Sequence, residues 1–357
     1  MAAASPAMIE VAGLAKTFKT KRGAVEAVRG IDLTVQPGEI VGFLGPNGAG
    51  KTTTLRMLTT LLVPGGGTAT VAGADLRREP AEVRKRIGYV AQSGGTDGAC
   101  TVAEELITQA ELYRLGGAEA RERCAKLLAQ LELAGLEDRY VKTLSGGQKR
   151  RLDIALGLVH APGLVFLDEP TTGLDPQSRA NLWTHIRRLR DDLNTTVFLT
   201  THYLDEADAL CDRILIIDSG RIVAEGTPEE LKHRISGDLV TIDVAGDGDP
   251  AAALAAVRDL EGVRDSTLSA RTLRVTVDAG GQQLMGIMRA LDAAGVPIAS
   301  IQLARPTLDD VFLTLTGRSL RDDSPSSGAS NPDDDPAATD EPSASATSSA
   351  TTTGSPE

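Results

Sequence analysis

The amino-acid sequence predicts an α/β domain, followed by a small α+β unit and a disordered polar tail. Three observations carry that prediction. The apolar run Ile40–Leu44 passes through a glycine-rich loop into the helical spacing of Leu55, Met57, Leu58, Leu61 and Leu62, a strand–loop–helix unit. A second apolar run, Leu164–Leu167, ends in two adjacent carboxylates, Asp168 and Glu169. Past Gly226 the pattern becomes β-α-β-β-α-β, and past Arg321 the composition is almost entirely Ser, Thr, Ala, Pro, Gly and Asp, too polar to bury a core.

With 357 residues there is room for one large domain or two of ordinary size, and 41% hydrophobic residues support a real core despite only 3% aromatics. The net charge of −12 is unevenly spread. From Asp322 onward there are eight acidic residues and no basic one, which leaves −4 for residues 1–321. That balance gives no electrostatic footprint for nucleic acid. Three widely spaced cysteines without a C-x-x-C suit a reducing cytosol better than a disulfide scaffold or zinc site. The N-terminus does not read as a signal peptide. No window approaches the ~18–20 apolar residues of a membrane span, so work at a membrane would require another polypeptide to supply the membrane part.

In chain order, Met1–Ala7 reads as a loose end. Ile9–Val11 and Ile31–Val35 read as strands about a turn near Thr20–Gly23, with Phe18 between them as either a packing residue or a stacking face for a base. The loop Gly45-Pro46-Asn47-Gly48-Ala49-Gly50-Lys51-Thr52-Thr53 fits G-x-x-x-x-G-K-[ST]. Its strand–helix context turns the pattern into a phosphate site. Glycines let backbone N–H groups converge on an anion, and the helix N-terminus adds its positive dipole end. Lys51 would reach the β- and γ-phosphates, and the Thr52 hydroxyl would ligate Mg²⁺. The plain alternative is a glycine-rich turn with an exposed lysine; a chance match is on the order of a per cent at average composition.

Pro64–Gly67 breaks the chain, and Thr68–Val71 and Arg86–Ala91 read as strands, the latter leading to Gln92. Residues 93–143 change character. A loop of small residues, Ser93–Ala99, precedes helical patterns at Val102–Leu115 and Ala118–Leu133, an all-helical insertion. Leu144-Ser145-Gly146-Gly147-Gln148 opens a helical run through Val159. Leu164–Leu167 reads as a buried strand, Pro176–Leu193 as a helix and Thr196–Thr200 as a strand before His202. Arg213–Ile217 and Arg221–Val223 read as a hairpin. The later order Leu239–Val244, Pro250–Leu260, Val263–Leu268, Leu273–Val277, Gln282–Ala293 and Ile298–Leu303 suggests a ferredoxin-like unit. Leu308, Val311, Phe312 and Leu315 share one face of a last helix.

Taken singly, these later motifs have plain readings: a helix cap, a solvated strand end, a structural histidine. Together they complete a phosphate site. Asp168 would hold Mg²⁺ through its waters. Glu169, on the other face of an extended backbone, would address the water that attacks the γ-phosphate. Gln92 and His202 offer neutral groups at neighbouring strand tips.

On these motifs, residues 9 to about 230 resemble the nucleotide-binding domain of an ATP-binding-cassette (ABC) transporter. The resemblance implies a domain over 8–232 with a helical subdomain at about 93–143, a small α+β domain at 237–317, and a tail at 318–357. It makes Phe18 the adenine-stacking residue, in place of the commoner Tyr, and Gln92 the Q-loop residue that also touches the metal. Leu144–Gln148 is the signature, Gly173-Leu174-Asp175 the D-loop and His202 the switch histidine. In this family the signature closes on nucleotide held by a second copy, so Ser145, Gly146, Gly147, Gln148 and Asp175 would bind the partner's ATP. Glu169, His202 and Gln92 would be the catalytic set. The ending Arg305–Gly317 is similar to ATPase subunits of the daunorubicin/doxorubicin-resistance type, which power ABC-2-type exporters with a separate multispanning permease. That implies efflux of drugs or natural products from the cytoplasmic face of the cell membrane, with Ser93–Cys100 toward the permease. Export of lipid or polysaccharide is the alternative. A nucleic-acid or ribosome clamp is a third reading, disfavoured by the single cassette and acidic balance. For 237–317 two uses are open, a site for a regulatory ligand or, the favoured expectation, a contact that holds two subunits together, with the apolar face of the last helix either capping its own domain or meeting its twin.

Overall fold

The computed structural model describes residues 6–21, 23–235, 237–278, 280–304 and 307–316; the tail expected over 318–357 lies outside them. Two long strands, β1 (Ile9–Thr20) and β2 (Gly23–Val35), form a ribbon that extends well past the short strands expected there. The cause of the difference is exposure. Only the base of the ribbon buries residues, whereas Thr17–Thr20 and Gly23–Glu26 are exposed, so the outer half carries no apolar alternation to read.

β3 (Ile40–Leu44) and α1 (Lys51–Leu58) follow, then β4 (Gly66–Val71), the two-residue β5 (Ala74–Asp75), α2 (Pro80–Arg86) and β6 (Ile87–Val90). α2 was not expected, because one buried residue, Val83, is too little to set a period. α3 (Val102–Leu112) starts with a capping box between Thr101 and Glu104, and α4 (Gly117–Gln130) completes the helical insertion. α5 (Gly146–Leu158) precedes β7 (Leu164–Asp168). α6 (Pro176–Leu193) has the limits its sequence predicts. Asp175 caps it with Pro176 in the first turn, and Asn194 ends it at φ 50°. β8 (Thr196–Thr201), α7 (Leu204–Leu210), β9 (Arg213–Asp218), β10 (Arg221–Gly226) and α8 (Pro228–Ile235) close this part.

The central sheet has the order β10-β9-β3-β8-β7-β6, parallel except for β10. β3, β7 and β8 are buried along their whole length, as a sheet covered on both faces requires. Alternation sorts their side chains into two cores. Phe43, Phe166 and Phe198 join α1 and the β2-β1-β4-β5 sheet, whereas Ile40, Val165, Leu167, Val197 and Leu199 join the helices α3 to α7.

The rest is a ferredoxin-like unit. β11 (Asp238–Val244), α9 (Pro250–Arg258), β12 (Val263–Ser269), β13 (Thr272–Val277), α10 (Gly280–Ala293) and β14 (Ile298–Ala304) build an antiparallel sheet of order β12-β13-β11-β14 with its own core. The last helix, α11 (Leu308–Thr316), corrects one expectation. Its Leu308, Val311 and Phe312 neither cap this unit nor remain free for a twin. They are fully buried in the ATPase-side core with Leu231, against α7 and α8. Leu315 is left at the margin, 36% exposed. An apolar face shows that a neighbour exists, without specifying which.

Truncating a buried Phe typically costs about 3–5 kcal/mol, and Phe312 shows no exposed surface. Phe312→Ala is therefore expected to lower the thermal midpoint of the nucleotide-binding part itself, followed through the nucleotide-dependent shift of its melt. An unchanged melt would remove α11 from that core.

Candidate active site

The parallel register assembles the site. β3, β8, β7 and β6 lie side by side, with Leu44 opposite Thr201, Asp168 opposite Thr200 and Val90 opposite Leu167. The segments leaving these four tips carry Gly45–Thr53, His202, Glu169 and Gln92. This is the edge at which open α/β sheets bind ligands.

The loop needs its glycines at two points of close approach. A Cβ on Gly45 would lie 2.3 Å from the Ile217 carbonyl oxygen, and one on Gly50 2.5 Å from that of Ala27, where φ is also +105°. Gly50 leads α1 without a side-chain cap, so the first N–H groups of the helix remain available to an anion. Asn47 and Gly48 are exposed at the crown, while Pro46 and Ala49 are buried, Ala49 at 3% exposure. Lys51 is 4% exposed and donates from Nζ to the carbonyls of Gly45 (2.8 Å) and Pro46 (3.1 Å). Its ammonium also lies 3.4 Å from Glu169 Oε1.

The two carboxylates keep different company. Asp168 Oδ1 accepts from Thr200 Oγ1 (2.6 Å) and lies 3.4 Å from Thr52 Oγ1. Glu169 Oε2 accepts from Gln92 Nε2 (3.0 Å) and Thr172 Oγ1 (3.2 Å), and lies 3.2 Å from His202 Nδ1. The expected reason for their divergence needs correcting. β7 ends at Asp168, and Glu169 sits at φ 41°, in left-handed rather than extended conformation, a strained setting for a non-glycine residue. Its N–H donates to Thr200 Oγ1 (3.0 Å), so one threonine holds both neighbours. Burial pushes the Asp168 carboxyl up, against the Thr200 hydrogen bond. Burial would raise Glu169 too, but its contact with His202 and the charge of Lys51 outweigh it and hold the group below its ordinary value.

Gln92 thus sits with Glu169, while Thr52 and Asp168 face each other separately. Thr53 is half-buried on α1. Phe18 lies on β1 with 36% of its surface exposed, Lys16 Nζ being 5.5 Å from its ring centre. Ser145 and Gln148 exchange hydrogen bonds as a capping box at the start of α5. Gly146 and Gly147 face Leu174 and Ser178, at the start of α6, and Asp175 caps that helix. Signature and D-loop therefore adjoin one another. The sequence reading missed Arg150, 7% exposed, which donates to the carbonyls of Ala91 (2.6 Å), Asp168 (3.0 Å) and Pro170 (2.8 Å) and so ties the Gln92 segment to the β7 tip. The available signal was its place on α5 four residues before buried Ile154.

The chain is 44% identical over 324 residues to the daunorubicin/doxorubicin resistance ATP-binding protein DrrA of Streptomyces peucetius, covering 90% of this chain and 96% of that protein. The chain belongs to this family of ABC transporter ATP-binding proteins. The ABC transporter family pattern matches residues 28–172, and the DrrA1-3-like C-terminal domain pattern matches residues 226–316. A Nod factor export ATP-binding protein I of Cupriavidus metallidurans is 40% identical over 306 residues, 83% of this chain and 94% of that one. Among solved structures, an ATP-binding cassette captured as a dimer in a post-hydrolysis state with ADP and Pi superimposes with TM-score 0.57 at 26% identity, over 62% of this chain and 98% of that one. The ABC cassette is thus an ATPase, the ATP-binding subunit of an ABC exporter, with hydrolysis coupled to transport. Among the described residues no helix is long and apolar enough to cross a membrane.

Gly45→Ala is expected to abolish nucleotide binding in equilibrium dialysis, because the added Cβ meets backbone rather than a movable side chain. Retained affinity would show that the loop can shift away from Ile217.

Proposed function

We propose that two copies of this chain hydrolyse ATP between them beneath a separate multispanning permease, at the cytoplasmic face of the cell membrane, to drive efflux of drugs or natural products. The observation that carries the catalytic part is the shared contact of Glu169 with Lys51, Gln92, Thr172 and His202. With phosphates present, Lys51 turns from the Gly45 and Pro46 carbonyls and Glu169 toward the β- and γ-oxygens. That frees Oε1 of a carboxylate held at Oε2 by Gln92, Thr172 and His202, and Oε1 accepts the proton of the attacking water while Gln92 and His202 keep the water aimed. Thr52 and Asp168 offer a hydroxyl and a carboxylate, a hard-oxygen set suited to Mg²⁺, which takes one or two protein oxygens plus phosphates and waters. When bound, the ion neutralises charge on the phosphates. Phe18 stacks on the adenine, and Gly45–Thr53 cradles the phosphates. Ser145, Gly146, Gly147, Gln148 and Asp175 face the partner's nucleotide, in keeping with the dimeric cassette of similar fold.

The relative named for daunorubicin/doxorubicin resistance supports drug efflux. The relative named for Nod factor export favours a second reading, in which the same machinery serves a cargo other than a drug.

Lys51→Ala is expected to lose ATP binding. Glu169→Gln is expected to retain it while turnover falls by about 10²-fold or more, the range of a lost general base. Radiolabelled nucleotide retention and steady-state phosphate release read the two apart, and near-normal hydrolysis by Glu169→Gln would end its assigned role. In inverted vesicles, drug uptake is expected only when the chain and its permease are present together.

A further inference from the structure

His202 does not stand alone at the tip of β8. The ring of the next residue, Tyr203, packs on the imidazole with centroids 4.1 Å apart and planes 41° apart. On Tyr203 rests the guanidinium of Arg179, its Cζ 4.1 Å from the ring centre, within the range of a cation–π contact. Arg179 belongs to the first turn of α6, its N–H bonded to the carbonyl of Asp175 (2.9 Å). Its Nη1 lies 3.5 Å from Asp205, and its Nε is buried without a hydrogen-bond acceptor among the described residues. A buried guanidinium nitrogen without an acceptor is costly, so the aromatic face is what compensates that placement. Tyr203 is fixed from its own backbone as well, donating its N–H to Thr201 Oγ1 (2.9 Å) and accepting from Ala207 at the start of α7. One turn further along, Trp183 Nε1 of α6 donates to Glu206 of α7 (3.1 Å), a carboxylate with no exposed surface. The D-loop helix and the segment from Tyr203 into the histidine helix are therefore joined through Arg179, Trp183 and Arg187, and the contact on Tyr203 is the one that reaches His202.

We infer that Tyr203, pressed in place by Arg179, is a positioning residue that holds the His202 imidazole toward Glu169 and couples its setting to the D-loop helix. The inference rests on the role given above to His202. The ring, rather than the phenol hydroxyl, makes both contacts. A displaced imidazole would leave phosphate binding at Lys51 untouched and misplace only the water-orienting set, where an error of about 1 Å can cost up to about 10²-fold in rate.

The test is steady-state ATP hydrolysis by the full chain, with ATP affinity and thermal melting measured alongside. Tyr203→Leu is expected to lower kcat by about tenfold or more with KM for ATP unchanged, and Tyr203→Phe to restore it. Arg179→Met removes the cation at similar bulk and carries the same expectation, so the test survives if the leucine variant melts out. The deciding measurement is a double-mutant cycle with His202→Ala. If Tyr203 acts through His202, adding Tyr203→Leu to His202→Ala costs nothing further. Additive losses, an unchanged kcat in Tyr203→Leu and Arg179→Met, or a Tyr203→Phe as slow as Tyr203→Leu would each overturn the inference. Full activity of His202→Ala would instead overturn the role of His202 itself.

Discussion

Because β3, β8, β7 and β6 run parallel and pair in register, four segments far apart in sequence leave the sheet along one edge. Without that register, Lys51 and Glu169 would be 118 residues apart with no reason to meet; with it, they lie 3.4 Å from one another. Both strand-tip alignment and burial follow from the apolar sequence of the strands, since each buried strand must find a hydrophobic layer on either face. The phenylalanine cluster on one side and the helices on the other are thus part of the catalytic geometry.

The buried pair has a cost and a use. Lys51 and Glu169, at 4% and 8% exposure, are each expensive to hold as an ion without a partner, so each offsets the other's buried charge. The left-handed backbone at Glu169, pinned through its N–H to Thr200, places local strain beside that pair.

The sequence was legible where a residue's role is set by chemistry or by local period. Lys51, Gln92 and His202 lie in contact with Glu169, α6 begins and ends at its caps, and the β-α-β-β-α-β pattern folds in the ferredoxin-like order. It was silent where the outcome depends on which surface comes to meet a given face. The outer ribbon of β1 and β2 is set by pairing rather than burial. α2 buries one residue. Arg150 reads as a solvated arginine until three backbone carbonyls from two other segments surround it. α11 was readable as amphipathic, but its landing on α7 and α8 belongs to the tertiary fold.

That landing ties α11 to the helix that begins just after His202, and Trp183 is bonded to the same helix. It is the sole tryptophan of the chain, half-buried, with its indole nitrogen bonded to the carboxylate of Glu206. A carboxylate beside an indole changes the emission of the ring, and the bond spans the D-loop helix and the histidine helix. The protein therefore carries a native optical gauge, needing no label, set between the D-loop helix and the histidine helix.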